Sequence, residues 1–356
     1  MLTSKIRHHK AIMEKTDKII VGISIGDING IGIEVILKTF EDKRMLEFCT
    51  PVLFGSNKVI SFHKKALNMN NNIHGIQSID KIVHGKINLL NIWKEEVKIE
   101  LGKTTNQGGK YAIKSFTEAT EALKSKQVDI LITAPINKEN IQSKEYKFPG
   151  HTEYLEDKLE GKSLMILLTE ELRVGLITGH IPVSKVAETI TPELITEKVT
   201  VMHQSLKQDF NISKPKIAIL GLNPHCGDNG TIGKEDDEII RPTIETIKQT
   251  GKMVFGPYAA DGFFGSKTYK QFDGVLAMYH DQGLAPFKAL SFGNGVNFTA
   301  GLEKIRTSPD HGTGFDIAGK NKANPDSFKE ALFTSLKIFK NRNEYVELEA
   351  NKLKVK

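Results

Sequence analysis

The chain has 356 residues, 39% of them hydrophobic, which suits about two domains and an ordinary buried core without disulfides or a structural metal. Its 30 glycines and 12 prolines exclude collagen-like and low-complexity classes, and two cysteines, Cys49 and Cys226, exclude a disulfide framework. The net charge of +6 sits largely at the ends, in Lys5, Arg7, Lys10, Lys15 and Lys18 and again in Lys352, Lys354 and Lys356. No RNP-type or zinc-finger pattern accompanies those charges, so an enzyme of anionic metabolites is favoured over a nucleic-acid binder. No apolar run approaches the roughly 18 residues of a membrane span, and a reducing, cytoplasmic setting is expected.

Residues 1–18 read as a basic arm, with no apolar stretch of the kind that marks a secretory signal. Order is predicted to begin with the β-rich run 19–25, followed by the glycine-rich turn Gly26-Asp27-Ile28-Asn29-Gly30-Ile31-Gly32 and a helix from Glu34 to Phe40. Pro51–Phe54, Val128–Thr133, Leu164–Leu168, Val174–Thr178, Lys216–Gly221 and Gly274–Met278 are further strand candidates, with Leu164–Leu168 and Val174–Thr178 close enough to pair. Asn68–Asn72 reads as a polar loop. Helical spacing covers Tyr111–Lys124 and stretches near 191–208, 235–250 and 326–340. Strands alternating with helices predict an α/β protein with a buried, mostly parallel sheet.

In open α/β folds, ligands bind beyond the carboxyl ends of the strands. Here those ends carry Gly26-Asp27, Thr133-Ala134-Pro135, Gly179-His180, Asn223-Pro224-His225 and Tyr279-His280-Asp281. His180, His225 and His280 share no local motif, but each lies just past a separate apolar strand. Together they form a candidate site for a divalent metal, with Asp261 and Asp281 as nearby carboxylates; any one of them alone would as readily bond a loop carbonyl. The turn at 26–32 is either an anion-binding strand-to-helix loop or simply a tight turn, and it matches neither GxGxxG nor a P-loop. Phe148-Pro149-Gly150-His151-Thr152-Glu153 offers imidazole and hydroxyl donors, and Lys288, Asn297 and Arg306 suit phosphate and carboxylate.

Longer stretches carry a resemblance. Leu131–Lys138, Phe148–Glu153, Leu222–Gly227, Gly256-Pro257 with Ala260-Asp261, Leu276–Leu284, Val296-Asn297, Ile305–Ser308 and Asp310–Thr313 are similar to the 4-hydroxythreonine-4-phosphate dehydrogenases of vitamin B6 biosynthesis. The similarity runs from about Ile19 to Phe333. Gly26-Asp27 through Glu34 and His311 through Pro325 also resemble two loops of the wider isocitrate/isopropylmalate dehydrogenase group. Asn29, Ile33, Gly314 and Pro309 depart from the family's usual residues.

The resemblance implies a two-domain α/β/α fold of the isocitrate/isopropylmalate dehydrogenase kind, with the active site in an interdomain cleft. Its expected parts are a first domain of residues 19–130 plus 300–356 and a second of 131–299 that holds the metal ligands and dimer interface. It implies NAD as cofactor, bound through His311, Gly312, Thr313 and Asn324. It implies a divalent metal (zinc first, magnesium or cobalt next) on His180, His225 and His280, with an aspartate at Asp261 supplied by the partner of a homodimer. Substrate-binding positions fall on His151, Thr152, Lys288, Asn297 and Arg306, and Lys138 and Asp281 are the candidates for general base. The implied reaction oxidises the C3 hydroxyl of 4-phosphooxy-L-threonine to a 3-keto acid, which loses carbon dioxide to give 3-amino-2-oxopropyl phosphate. Rival readings are a dehydrogenase of phosphothreonate or phosphoerythronate, a phosphate acyltransferase of related fold, and a non-catalytic metabolite-binding module. The acyltransferase would have no use for three metal-site histidines.

Overall fold

A computed structural model describes residues 18–143, 146–291 and 293–351. All of the basic arm except Lys18, and the closing lysines 352, 354 and 356, lie outside the described residues. Twelve strands form one mixed sheet: β1 (Ile20–Ser24), β2 (Thr50–Gly55), β3 (Ile73–Ile76), β4 (Ile87–Asn91), β5 (Ile130–Thr133), β6 (Gly161–Leu168), β7 (Arg173–Leu176), β8 (Lys216–Leu220), β9 (Met253–Tyr258), β10 (Gly274–Ala277), β11 (Val296–Leu302) and β12 (Ile305–Pro309). Their spatial order is β3-β4-β2-β1-β5-β12-β11-β6-β7-β10-β8-β9. The flanks are parallel, and the antiparallel pairs β12–β11, β11–β6 and β6–β7 join them. The expected boundary between residues 130 and 131 passes through β5, which pairs with β1 and β12.

The short apolar runs are unalternating because both sheet faces are covered. Ile130 and Ile132 of β5 belong to the core under the helices Gly32–Thr39, Pro192–Gln208 and Asp326–Ala350, while Leu131 faces the opposite layer with Phe116 of the helix Asn106–Lys124. In β10, Leu276 faces the first layer, and Val275 and Ala277 meet Leu284 and Phe287 of the helix His280–Ser291. The result is three layers, α/β/α. The cavity lies on the face of the central strands that carries Asn297 of β11 and Arg306 of β12, and the helix His151–Lys158 packs on the same layer.

Seven strands follow the predicted runs, and five, β3, β4, β9, β11 and β12, lie outside them. β9 contains Gly256-Pro257, and β11 and β12 carry Asn297, Arg306 and Ser308 on the cleft side, so none of the three reads as a plain apolar run. The last helix continues to Ala350, well beyond its expected end near 340. No helix among the described residues is long and apolar enough to cross a membrane.

Candidate active site

Arg306 is the centre of the cleft. It sits on β12, 2% exposed, paired in register with Leu131 of β5. Its Nε and Nη2 both donate to Thr133 Oγ1, at 3.0 and 2.6 Å, its Nη1 donates to Thr299 Oγ1 at 3.2 Å, and its Nη2 also reaches His151 Nδ1 at 3.1 Å. Every one of these partners is neutral. Burial pulls the guanidinium down to about 9, against the weaker opposing fields of Glu153 and Tyr146. A buried cation without a carboxylate partner is costly by several kcal/mol, a cost that an anionic ligand offsets.

His151 begins the helix His151–Lys158. Burial first, then the charges of Arg306 and Lys138, hold its imidazole well below the ordinary histidine range, so the ring is neutral. Because Nδ1 accepts from Arg306, the proton resides on Nε2, which is buried and has no protein partner. Asn297 Oδ1, on β11, is likewise buried and unpartnered. Lys288 Nζ lies 3.1 Å from Asp310 Oδ1, whose carboxyl burial pushes upward. These groups line one cavity of about 280 Å³, a volume suited to a small metabolite.

At the other wall, β7, β10 and β8 are adjacent and parallel, so the residues after them share one rim. Side chains tie the three loops together. Thr178 Oγ1 donates to Met278 O at 2.6 Å, and Gln282 accepts from Met278 N at 2.7 Å while donating to Gly221 O at 2.6 Å. The buried Asp236 accepts from the backbone N–H of Leu222 and Asn223, both at 2.9 Å, and holds a loop in which His225 and Cys226 take left-handed backbone angles of φ 54°.

The His180 and His280 rings lie 5.4 Å apart between centroids. Each Nδ1 faces a carboxylate, His180 that of Glu153 at 3.3 Å and His280 that of Asp281 at 2.6 Å, and Nε2 of His180 lies 3.0 Å from Lys138 Nζ. For Glu153 the upward effect of burial is outweighed by the His180 hydrogen bond and neighbouring positive charges, and its carboxyl is lowered. Such carboxylate–imidazole pairs are the usual support of metal-binding histidines, and this donor pair fits a divalent ion. His225 is exposed and does not line the cavity, and among the described residues no three His, Cys, Asp or Glu side chains gather as a metal group. Asp261 stands exposed on the helix Ala260–Gly265.

The turn after β1 is a tight turn and not an open anion loop. Asp27 N donates to Pro135 O, Asn29 N to Asp27 Oδ1, Gly30 N to Asp27 O and Ile31 N to Thr313 O, so these backbone donors are already used. A Cβ on Gly30 would meet Thr313 O at 2.7 Å, which shows how closely the turn packs on the loop from 310. Asn29 is buried and satisfied: Nδ2 donates to Thr105 Oγ1 at 2.8 Å, and Oδ1 accepts from Glu100 N at 2.7 Å. His311 Nε2 is buried without a partner beside Gly312 at the cavity edge, an orphaned group that fits a cofactor contact. Thr313 and Asn324 lie outside the cavity, and Asn324 Oδ1 caps Asp326 N at 2.9 Å.

The family model for "Pyridoxal phosphate biosynthetic protein PdxA" matches residues 47–335. The chain belongs to the PdxA family. It is 50% identical over 340 residues to the 4-hydroxythreonine-4-phosphate dehydrogenase of Bacteroides thetaiotaomicron, covering 95% of this chain and 93% of the relative. It is 42% identical over 315 residues to the enzyme of that name from a Sulfurihydrogenibium species, covering 88% and 96%. The crystal structure of the Klebsiella pneumoniae 4-hydroxythreonine-4-phosphate dehydrogenase superposes with a TM-score of 0.77 at 31% identity, covering 91% of this chain and 98% of that one.

In this PdxA-family chain the cavity wall brings together ten of the expected site residues: Lys138, His151, Thr152, His180, His280, Lys288, Asn297, Arg306, His311 and Gly312. Asp281 touches the site only through His280, and its side chain is 84% exposed. Thr133, Glu153 and Asp310 are site residues to which the sequence patterns assign no role. Glu153 stands inside the motif Phe148–Glu153, but nothing in a sequence distinguishes a carboxylate that anchors an imidazole from a helix-start acid.

Proposed function

We propose that this chain oxidises the C3 hydroxyl of 4-phosphooxy-L-threonine with NAD, in a metal-dependent reaction whose 3-keto acid product loses carbon dioxide to give 3-amino-2-oxopropyl phosphate. The observation that carries the reading is Arg306, a buried guanidinium held by neutral groups alone and facing a cavity shared with Lys288, Asn297 and the protonated Nε2 of His151. That set suits a small dianionic group plus a second anion or polar substituent. The names of the relatives supply the matching substrate.

Arg306 and Lys288 would bind phosphate and carboxylate, and His151 Nε2 would donate to the same ligand. Lys138 Nζ lines the cavity wall and, as the neutral amine, would take the proton of the C3 hydroxyl, whereas Asp281 is turned onto His280. His180, His225 and His280, with Asp261 of the partner subunit, would hold the divalent ion, and the loop from His311 to Asn324 would contact NAD. When bound, the ion supplies Lewis acidity toward the hydroxyl and NAD accepts the hydride. A homodimer follows from the shared ligand set, and the division into domains 19–130 plus 300–356 and 131–299 is part of the same reading.

The test is a substrate panel followed by NADH absorbance at saturating NAD: 4-phosphooxy-L-threonine, its unphosphorylated form, phosphothreonate and phosphoerythronate. The highest kcat/KM is expected for the first and none measurable for the second. Preference for phosphothreonate or phosphoerythronate would reassign the substrate, and turnover of the unphosphorylated form would remove the phosphate-binding role given to the Arg306 and Lys288 pair.

A further inference from the structure

We propose that Lys138 is a removable cap on the metal-ligating nitrogen of His180, so that arrival of the ion releases the Lys138 ammonium into the cavity. The inference rests on the metal-binding role given to His180 above. Lys138 Nζ lies 3.0 Å from His180 Nε2. An ammonium group has no lone pair, so Lys138 is the donor and Nε2 the acceptor. The ring proton is therefore on Nδ1, where it is donated to Glu153 Oε1 at 3.3 Å. The two side chains select the one tautomer a metal needs, with its free lone pair on Nε2 and its other nitrogen anchored.

The ammonium and a divalent ion require the same lone pair and cannot both have it. Lys138 is able to leave: it is exposed, it follows β5 in a loop, and its Cε stands beside Gly150, where there is no side chain. The nitrogen that departs already lines the substrate cavity. Ion loading and release of Lys138 from His180 into the cavity are one event, and Glu153 stays behind as the positioning residue for His180. Glu153 shares its helix with His151, so the element that reads the anion through Arg306 also orients the metal ligand.

The test uses the full chain without substrate. Co(II) is titrated by its visible absorption into the wild type, Lys138→Met and Glu153→Gln, and the His180 tautomer is read in metal-free protein by long-range ¹H–¹⁵N spectra. Lys138→Met is expected to bind Co(II) about tenfold more tightly, because a charge-assisted hydrogen bond no longer competes. Glu153→Gln is expected to bind about 10- to 100-fold more weakly. The metal-free wild type is expected to show His180 protonated at Nδ1. Co(II) bound by the wild type but no more tightly by Lys138→Met overturns the cap and leaves the metal reading intact, as does a His180 proton on Nε2. A wild type that binds no Co(II) removes the metal reading and the cap with it.

Discussion

Arg306 Nη2 donates to His151 Nδ1 at 3.1 Å, so the cation that would meet a substrate anion also decides which imidazole nitrogen faces it. The two residues come from β12 and from a helix that starts 155 positions earlier, and both are withdrawn from solvent at their polar atoms. Replacing Arg306 with methionine removes a buried charge that has no counter-ion in the free protein. Calorimetry is expected to show Arg306→Met as stable as the wild type or more so, by up to about 4 kcal/mol. The same variant is expected to raise KM for the phosphorylated substrate at least about 100-fold. Loss of stability with unchanged KM would mean that Arg306 is a structural residue.

Acid should destabilise the fold through histidines buried as neutral rings. His63 is 1% exposed and bonds Ile28 O through Nε2; burial pushes it down to about 4, opposed by that hydrogen bond. His151 shifts in the same direction. The unfolded chain takes up these protons near 6.5, whereas the folded chain does not until much lower pH. Their contribution is therefore complete above 6.5 and is lost as pH falls toward 4. For His63 that loss is about 3 kcal/mol. Urea unfolding across this window should show the decline, and His63→Gln should flatten it.

Asp236 is expected to matter for the rim without touching substrate. It accepts from Leu222 N, Asn223 N and Asn223 Nδ2 and so holds the left-handed turn that carries His225. Asp236→Ala leaves the backbone N–H groups of Leu222 and Asn223 unpaired, while Asn223 Nδ2 keeps Glu235, and should cost about 3 kcal/mol in unfolding free energy. Divalent-ion affinity should fall while binding of inorganic phosphate at Arg306 is retained. Equal loss of both would show that the two halves of the cavity are not separable.

Much of the layout is legible in the residue pattern alone. The apolar run ending at Thr133 is a strand of one parallel flank, those ending at Leu176, Leu220 and Ala277 are mutually parallel strands of the other, and residues past the ends at Thr133, Leu176 and Ala277 line the cavity. The strands beneath the cavity are harder to see, because Asn297, Arg306 and Ser308 break the apolar pattern where the cleft needs polar groups. The rule that finds buried strands fails where a strand serves a ligand. Pairings such as Glu153 with His180, or Thr133 with Arg306, depend on side chains meeting across 27 and 173 residues of sequence, and composition and periodicity carry no trace of them. Asn29, a departure from the family's usual residue, is a satisfied buried amide joined to Glu100 and Thr105.

The most direct measurement is NADH formation from 4-phosphooxy-L-threonine by the full-length chain, before chelation, after it, and after zinc, cobalt or magnesium is returned. The account predicts turnover that disappears with the chelator, returns with at least one of these ions, and is absent in His225→Ala under every condition. Turnover that survives chelation, or that His225→Ala retains, would contradict it.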